Sequence, residues 1–187
     1  FARFEIFYMV HDGSLFHKFL CFVTMSPLWI LTYLVSVLLI YNKKQRRNIL
    51  LLVALVSSIA FNKILKRLIR HPRPYHHIYH GHGMPSDHAQ FTCLWAGYLH
   101  QLLCHHQRFN WSKFYQRKHK LYVALIWMWA LLVCYSRHAL LFHDAYQLTA
   151  GGLIGIALSI IWYKIDELLI VDNANGGAYL PFSLEID

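Results

Sequence analysis

Five apolar runs, separated by polar and basic segments, organise this chain. A hydrocarbon core about 30 Å thick takes about 20 predominantly apolar residues as a helix, and somewhat fewer where terminal side chains snorkel. The runs extend from about Leu20 to Tyr41, Ile49 to Leu68, Ala89 to Cys104, Leu121 to Phe142 and Ala145 to Tyr163. Each predicts a membrane-spanning helix. The third is the least apolar, because it is short and holds Gln90, His100 and Gln101. The expected fold class is all-α, a polytopic membrane helix bundle of about five transmembrane helices. Residues 1–19 mix aromatics with Arg3, Glu5, His11 and Asp12 and read as an interfacial segment. Residues 20–165 form the expected transmembrane domain, and residues 166–187 a short amphipathic piece with a Gly-containing tail. The chain opens Phe1-Ala2-Arg3 without a methionine, as a fragment or processed form would, and carries no cleavable signal-peptide pattern.

Composition agrees with the pattern. The 187 residues suit one domain, and a hydrophobic content of 57% makes the bilayer the expected solvent. A formal net charge of +9 would suggest nucleic acid on a soluble protein, but here the basic residues cluster between apolar runs. Lys43, Lys44, Arg46 and Arg47 separate the first two runs, and Arg108, Lys113, Arg117, Lys118 and Lys120 separate the third and fourth. The positive-inside rule makes both loops cytoplasmic. Nucleic acid is therefore not an expected partner, whereas the bilayer is. With five crossings, the N-terminus, the loop from His71 to His88 and the turn from Arg137 to His143 share the opposite face. Arg67 and Arg70, with the cations discussed next, break the charge bias on that face. The four cysteines, Cys21, Cys93, Cys104 and Cys134, lie singly in or beside apolar runs, without the pairing of a zinc site or disulfide framework, and read as packing residues.

Three polar segments thus meet at one membrane face: Lys66 with Arg73-Pro74, Pro85-Ser86-Asp87-His88, and Ser136-Arg137 with His143 and Gln147. Phosphoryl transfer depends mainly on positioning the group and stabilising charge on its oxygens. Arginine does this with a planar fork and lysine with a compact point charge, so Lys66, Arg73 and Arg137 are candidate phosphate ligands. Taken singly, each also fits a snorkelling or helix-end cation. Ser86 and His88 fall where the third helix starts, and a helix N-terminus seats phosphate oxygens. The Ser86 hydroxyl can cap that helix, donate to a ligand, or both. Gln147 follows His143 by four residues, which places both on one helix face. A residue there can accept the proton of one imidazole nitrogen and leave the other free to attack. The loop histidines His71, His76, His77, His80 and His82 have the density of a zinc tract. No paired cysteine or carboxylate completes a ligand set, so no metal is expected.

These segments resemble the signature of the type-2 phosphatidic acid phosphatase superfamily: Lys-x6-Arg-Pro, Pro-Ser-Gly-His, then Ser-Arg-x5-His-x3-Asp. Here they read Lys66 to Pro74, Pro85 to His88 and Ser136 to Gln147, with matching spacing throughout. More narrowly, Gly83-Met84-Pro85-Ser86-Asp87-His88-Ala89-Gln90-Phe91 and Tyr135-Ser136-Arg137 through Leu140-Leu141-Phe142-His143, Gln147 and Gly151-Gly152 resemble the dolichyl-diphosphatase branch. The resemblance implies a multi-pass membrane phosphatase of the endoplasmic reticulum, with its active site on the lumenal face and no cofactor. Its substrate would be a polyprenyl diphosphate such as dolichyl diphosphate, cleaved to the monophosphate to recycle the lipid carrier of N-glycosylation. His143 would attack phosphorus to form a phosphohistidine and His88 would protonate the leaving group. Lys66, Arg73, Ser86, Ser136, Arg137 and the backbone of Asp87 would hold the oxygens. Two positions depart from the superfamily pattern. Gln147 replaces aspartate, which reads as a mark of the dolichyl branch, and Asp87 stands where glycine or serine is usual. A carboxylate about 4 Å from phosphate repels it by about 1 kcal/mol in water and about 4 kcal/mol near a protein surface. A broader lipid phosphatase, acting on phosphatidic acid or undecaprenyl diphosphate, and a non-catalytic lipid-phosphate binder are the alternatives.

Overall fold

The computed structural model describes residues 14–40, 46–74, 81–106 and 113–174. These form five helices: α1 (Leu15–Ile40), α2 (Arg46–Ile69), α3 (Asp87–His106), α4 (Lys113–Ala139) and α5 (Ala145–Ala174). The fold is the expected polytopic helical bundle. Among the described residues, four helices are long and apolar enough to cross a membrane, through Leu15–Val37, Asn48–Ile69, Lys118–Ala139 and Ala145–Leu169. Their outward faces expose large apolar side chains such as Phe22, Val56, Leu131 and Ile161, as a helix facing lipid requires.

The remaining helix, α3, is the centre of the bundle. It packs most heavily on α5 and also touches α4, α2 and α1. Enclosure explains its weak apolar signal: Gln90 is 1% exposed and Thr92 fully buried, so neither meets lipid. Gln90 Nε2 donates to the hydroxyl and carbonyl of Ser58 on α2, at 2.8 and 2.9 Å. Its Oε1 accepts from Asn62 Nδ2 at 2.7 Å. Such interhelical bonds contribute about 0.6 to 2 kcal/mol each within a bilayer, and these fasten α2 to α3 one turn from Lys66.

On the other side, small residues let α5 approach α3. Gly151, Gly155 and Ser159, spaced by four, form the seam. A Cβ at Gly151 would lie 2.5 Å from the Ser86 carbonyl oxygen, so the starts of the two helices touch backbone to backbone. Farther from the polar segments, Leu34, Leu51, Leu55, Phe91, Leu94 and Tyr98 form the main core.

Helix α1 carries Pro27 in its interior. A proline removes the ladder bond to the carbonyl four residues back, here that of Val23. The Ser26 hydroxyl donates to that carbonyl at 2.7 Å, and Trp129 Nε1 of α4 donates to Ser26 Oγ at 3.0 Å.

Element ends differ from the sequence expectation in several places, α4 for instance beginning at Lys113 and not near Leu121. Helix α1 begins at Leu15, inside the segment expected to be interfacial. Helix α4 stops at Ala139, before the expected Phe142, because a C-terminal turn takes over. Helix α5 runs on past Tyr163 to Ala174, since Asp166 is buried at 1% exposure and does not end it. Residues 1–13, the loop histidines His76, His77 and His80, and residues 175–187 lie outside the described residues.

Candidate active site

The polar segments meet where α2 and α4 end and α3 and α5 begin. Helix α2 closes with Arg70 in the left-handed region at φ 53°, its N–H donating to the Lys66 carbonyl at 3.0 Å. This single bond is the αL type of helix stop. Arg70 Nε also donates to the Arg67 carbonyl at 3.1 Å. The loop that follows is pinned at its base by Gly83 N–H on the His71 carbonyl at 2.8 Å and by a bridge between Pro72 and His82. Arg73 sits inside this base, 9% exposed.

Ser86 precedes α3 and its N–H donates to the Gln147 carbonyl at 3.1 Å. Its hydroxyl is fully buried and has no hydrogen-bond partner among the described residues, so it does not cap the helix. A buried hydroxyl left unpaired in this way is suited to donate to a ligand. Asp87 turns its carboxylate to Lys66 Nζ, forming an ion pair. That contact accounts for an acidic residue at this position: it holds the lysine instead of confronting the anion directly.

Helix α4 ends in a Schellman motif. Phe142 N–H donates to the Arg137 carbonyl at 3.0 Å and Leu141 N–H to the His138 carbonyl at 2.9 Å. Leu141 occupies the left-handed position at φ 61°, normally a glycine's, at a cost of roughly 1 to 2 kcal/mol. The turn folds the chain back so that His143 N–H reaches the Arg137 carbonyl at 3.3 Å. The Arg137 guanidinium lies 3.8 Å from the Phe142 ring centroid, and its Nη1 donates to Thr24 Oγ1 of α1 at 3.3 Å. Ser136 is buried, and its hydroxyl donates to the Val133 carbonyl of its own helix at 2.7 Å.

Asp144 caps α5, its carboxylate accepting the Gln147 N–H at 2.8 Å. Gln147 then has its amide fixed from both ends. Its Oε1 accepts from His143 Nδ1 at 2.9 Å, while its Nε2 reaches the Pro72 carbonyl at 2.8 Å and His71 Nδ1 at 3.2 Å. With its Nδ1 proton engaged, His143 keeps the lone pair on Nε2.

Neither His88 nor His143 falls within the four apolar spans. Burial, then the Arg137 charge, pushes His143 down to about 3; the Gln147 contact opposes this, and Arg73 and Lys66 add to it. His88 is held well below the usual histidine range by burial, followed by Arg137, His143 and Lys66, with the backbone carbonyl of Thr24 opposing. Three cations thus converge on two neutral imidazoles. The arrangement can hold an oxyanion, present a nucleophilic nitrogen and lend a proton. Among the described residues no group of three or more His, Cys, Asp or Glu could hold a metal.

Sequence reasoning missed Thr24 and gave no role to Gly83 or Asp144. A threonine inside an apolar run gives no signal. Asp144, by contrast, carries an N-cap signature just before an apolar run. Gly83 is required by contact: a Cβ there would lie 2.5 to 2.8 Å from the Gln147 amide. Because that amide is fixed by His143, His71 and Pro72, it has no room to yield. Gly83→Ala is expected to lower turnover at least about tenfold through loss of the His143 contact, with detergent thermal stability changed far less. Unchanged turnover would show that the Gln147 amide is not needed in this position.

The sequence is similar to known proteins over most of its length. The sequence profile of the PAP2 superfamily matches residues 47–169, so α1 lies outside the match. The chain is 29% identical over 168 residues to Dolichyldiphosphatase 1 of Rhinolophus ferrumequinum, covering 83% of this chain and 67% of that protein. It is 30% identical over 171 residues to Dolichyldiphosphatase 1 of Dictyostelium discoideum, covering 85% and 68%. With Dolichyldiphosphatase of Saccharomyces cerevisiae it shares 24% identity over 175 residues, covering 89% and 71%. No solved structure matches the chain. The helical bundle, the motif spacing and these relatives together establish that the chain belongs to the PAP2 superfamily and, within it, to the dolichyl-diphosphatase branch.

Proposed function

We propose that this protein hydrolyses a polyprenyl diphosphate, dolichyl diphosphate, to the monophosphate and inorganic phosphate. The carrying observation is the His143 to Gln147 contact at 2.9 Å, beside which Arg137, Arg73 and Lys66 gather. The cations and the Ser86 hydroxyl bind the terminal phosphate. His143 Nε2 attacks its phosphorus, forming a P–N bond as the bond to the bridging oxygen breaks. His88, protonated once the anion is bound, gives its proton to the departing lipid monophosphate. Neutral His88 then takes a proton from water, whose oxygen attacks phosphorus. The P–N bond breaks, inorganic phosphate leaves and His143 is restored.

The names of the relatives support the substrate, and the basic loops between the first two and between the third and fourth helices support a site on the lumenal face of the endoplasmic reticulum. Product monophosphate there would return to service as the lipid carrier of N-glycosylation. The test is phosphate release in detergent from dolichyl diphosphate, undecaprenyl diphosphate and phosphatidic acid in parallel, with and without chelator. Dolichyl diphosphate is expected to be turned over fastest, with chelator without effect. Faster release from phosphatidic acid would assign a broader lipid phosphatase, and binding without release would assign a non-catalytic lipid-phosphate binder.

A further inference from the structure

His71 has no task in the proposed reaction, yet it touches the side chain that orients the nucleophile. A glutamine beside a histidine is two-faced. Its oxygen accepts from an imidazole N–H, whereas its NH2 group, of similar size, donates to an imidazole lone pair. The aspartate of the superfamily signature presents only acceptors and leaves no choice. Were the Gln147 amide turned over, its NH2 would meet His143 Nδ1 and the ring hydrogen would have to sit on Nε2. The attacking nitrogen would then have lost its lone pair. The reaction therefore requires that the amide be held one way round.

We infer that His71 is a positioning residue for the phosphatase reaction: with the Pro72 carbonyl, its Nδ1 fixes which end of the Gln147 amide faces His143. The Pro72 carbonyl can only accept, and the amide end 2.8 Å from it must be the NH2 group. Gln147 is fully buried, so both hydrogens of that group need acceptors. His71 Nδ1, at 3.2 Å, is the other acceptor within reach among the described residues. In this role Nδ1 carries a lone pair and the ring hydrogen of His71 is on Nε2. A hydrogen on Nδ1 would instead donate to the Pro72 oxygen, 3.0 Å away, and leave Gln147 with one acceptor where it now has two. The backbone holds these parts in register. The His71 carbonyl takes the Gly83 N–H, Pro72 bridges to His82, and the Gln147 carbonyl takes the Ser86 N–H.

This inference rests on the proposed phosphatase reading, and its test separates the two. In the purified full chain, His71→Phe keeps the bulk of the ring and removes its nitrogens, whereas His71→Asn gives up the ring and returns an acceptor near the place of Nδ1. His71→Phe is expected to lower kcat about 5- to 20-fold with KM changed less than about twofold, and His71→Asn to recover kcat to within about threefold of wild type. A residue that only packs would give the reverse order. Ring 15N resonances of His143, recognised by their loss in His143→Ala, report the hydrogen directly. They are expected to show it on Nδ1 in the wild type and in His71→Asn, and shared between Nδ1 and Nε2 in His71→Phe. Wild-type kcat in His71→Phe, a His143 hydrogen still confined to Nδ1 in that variant, or His71→Asn no more active than His71→Phe overturns the role. The resonances need no turnover. If the wild type releases no phosphate, it is the phosphatase reading that fails, and they still decide whether His71 fixes the amide.

Discussion

His143→Ala should reduce phosphate release from dolichyl diphosphate by about 10⁴-fold or more, the scale seen when a nucleophile is removed from a cooperating set. The size of the effect follows from the geometry. Burial, Arg137, Arg73 and Lys66 favour the neutral form of His143, which is the form that attacks, and outweigh the opposing Gln147 contact. Because burial and these charges hold it at about 3, His143 stays a competent nucleophile through the whole range from mild acid upward. The acid limb of activity therefore reports other groups. Acid-sensitive, base-stable phosphate label on the wild-type chain, absent from His143→Ala, is the accompanying observation. Label retained by the variant would move the nucleophile elsewhere.

The second large effect belongs to His88, where alanine is expected to lower kcat about 10²- to 10⁴-fold, the usual contribution of a positioned acid. Here pH carries the diagnosis. Burial, Arg137, His143 and Lys66 hold the free enzyme's His88 well below the ordinary range, so at neutral pH it lacks the proton it must donate. An incoming diphosphate neutralises Arg137 and Lys66 and favours protonation, which makes substrate binding take up a proton. An acid works only while protonated, so activity falls as pH rises through its pKa. The alkaline limb of kcat, which reports the bound enzyme, should therefore lie above that of kcat/KM, which reports the free enzyme. His88→Ala should flatten the limb of kcat. Coincident limbs in the wild type, or an unaltered limb in the variant, would assign the proton to another group.

Much of this was legible in the sequence because phosphate chemistry needs particular side chains at helix ends, and apolar runs announce where helices end. Lys66, Arg73, His88, Arg137, His143 and Gln147 could be drawn to one membrane face from loop charge alone. The contacts that refine the site were not legible, for distinct physical reasons. Asp87 pairs with a lysine 21 residues earlier, a distance that no helical period connects. Ser136 looked like a ligand by its place beside Arg137, yet its hydroxyl turns to the Val133 carbonyl. The end of α4 is set by Leu141 adopting a backbone region that leucine disfavours, so no residue preference marks it. Thr24 depends on how α1 leans across the bundle, which is tertiary information.

The enclosure of α3 bears on how the protein is made. A chain emerging from the ribosome offers this helix to the bilayer before α4 and α5, which will surround it, have been synthesised. With Gln90 and Thr92 in its first two turns, α3 partitions less readily by itself, and its early partner is expected to be α2 through Asn62 and Ser58. A hairpin of α2 and α3 is then the expected unit of insertion, with α5 locking it when its glycine seam arrives. A bulky residue at Gly151 or Gly155 would then be felt first as failed biogenesis, in a cell that clears the chain before any lipid reaches it.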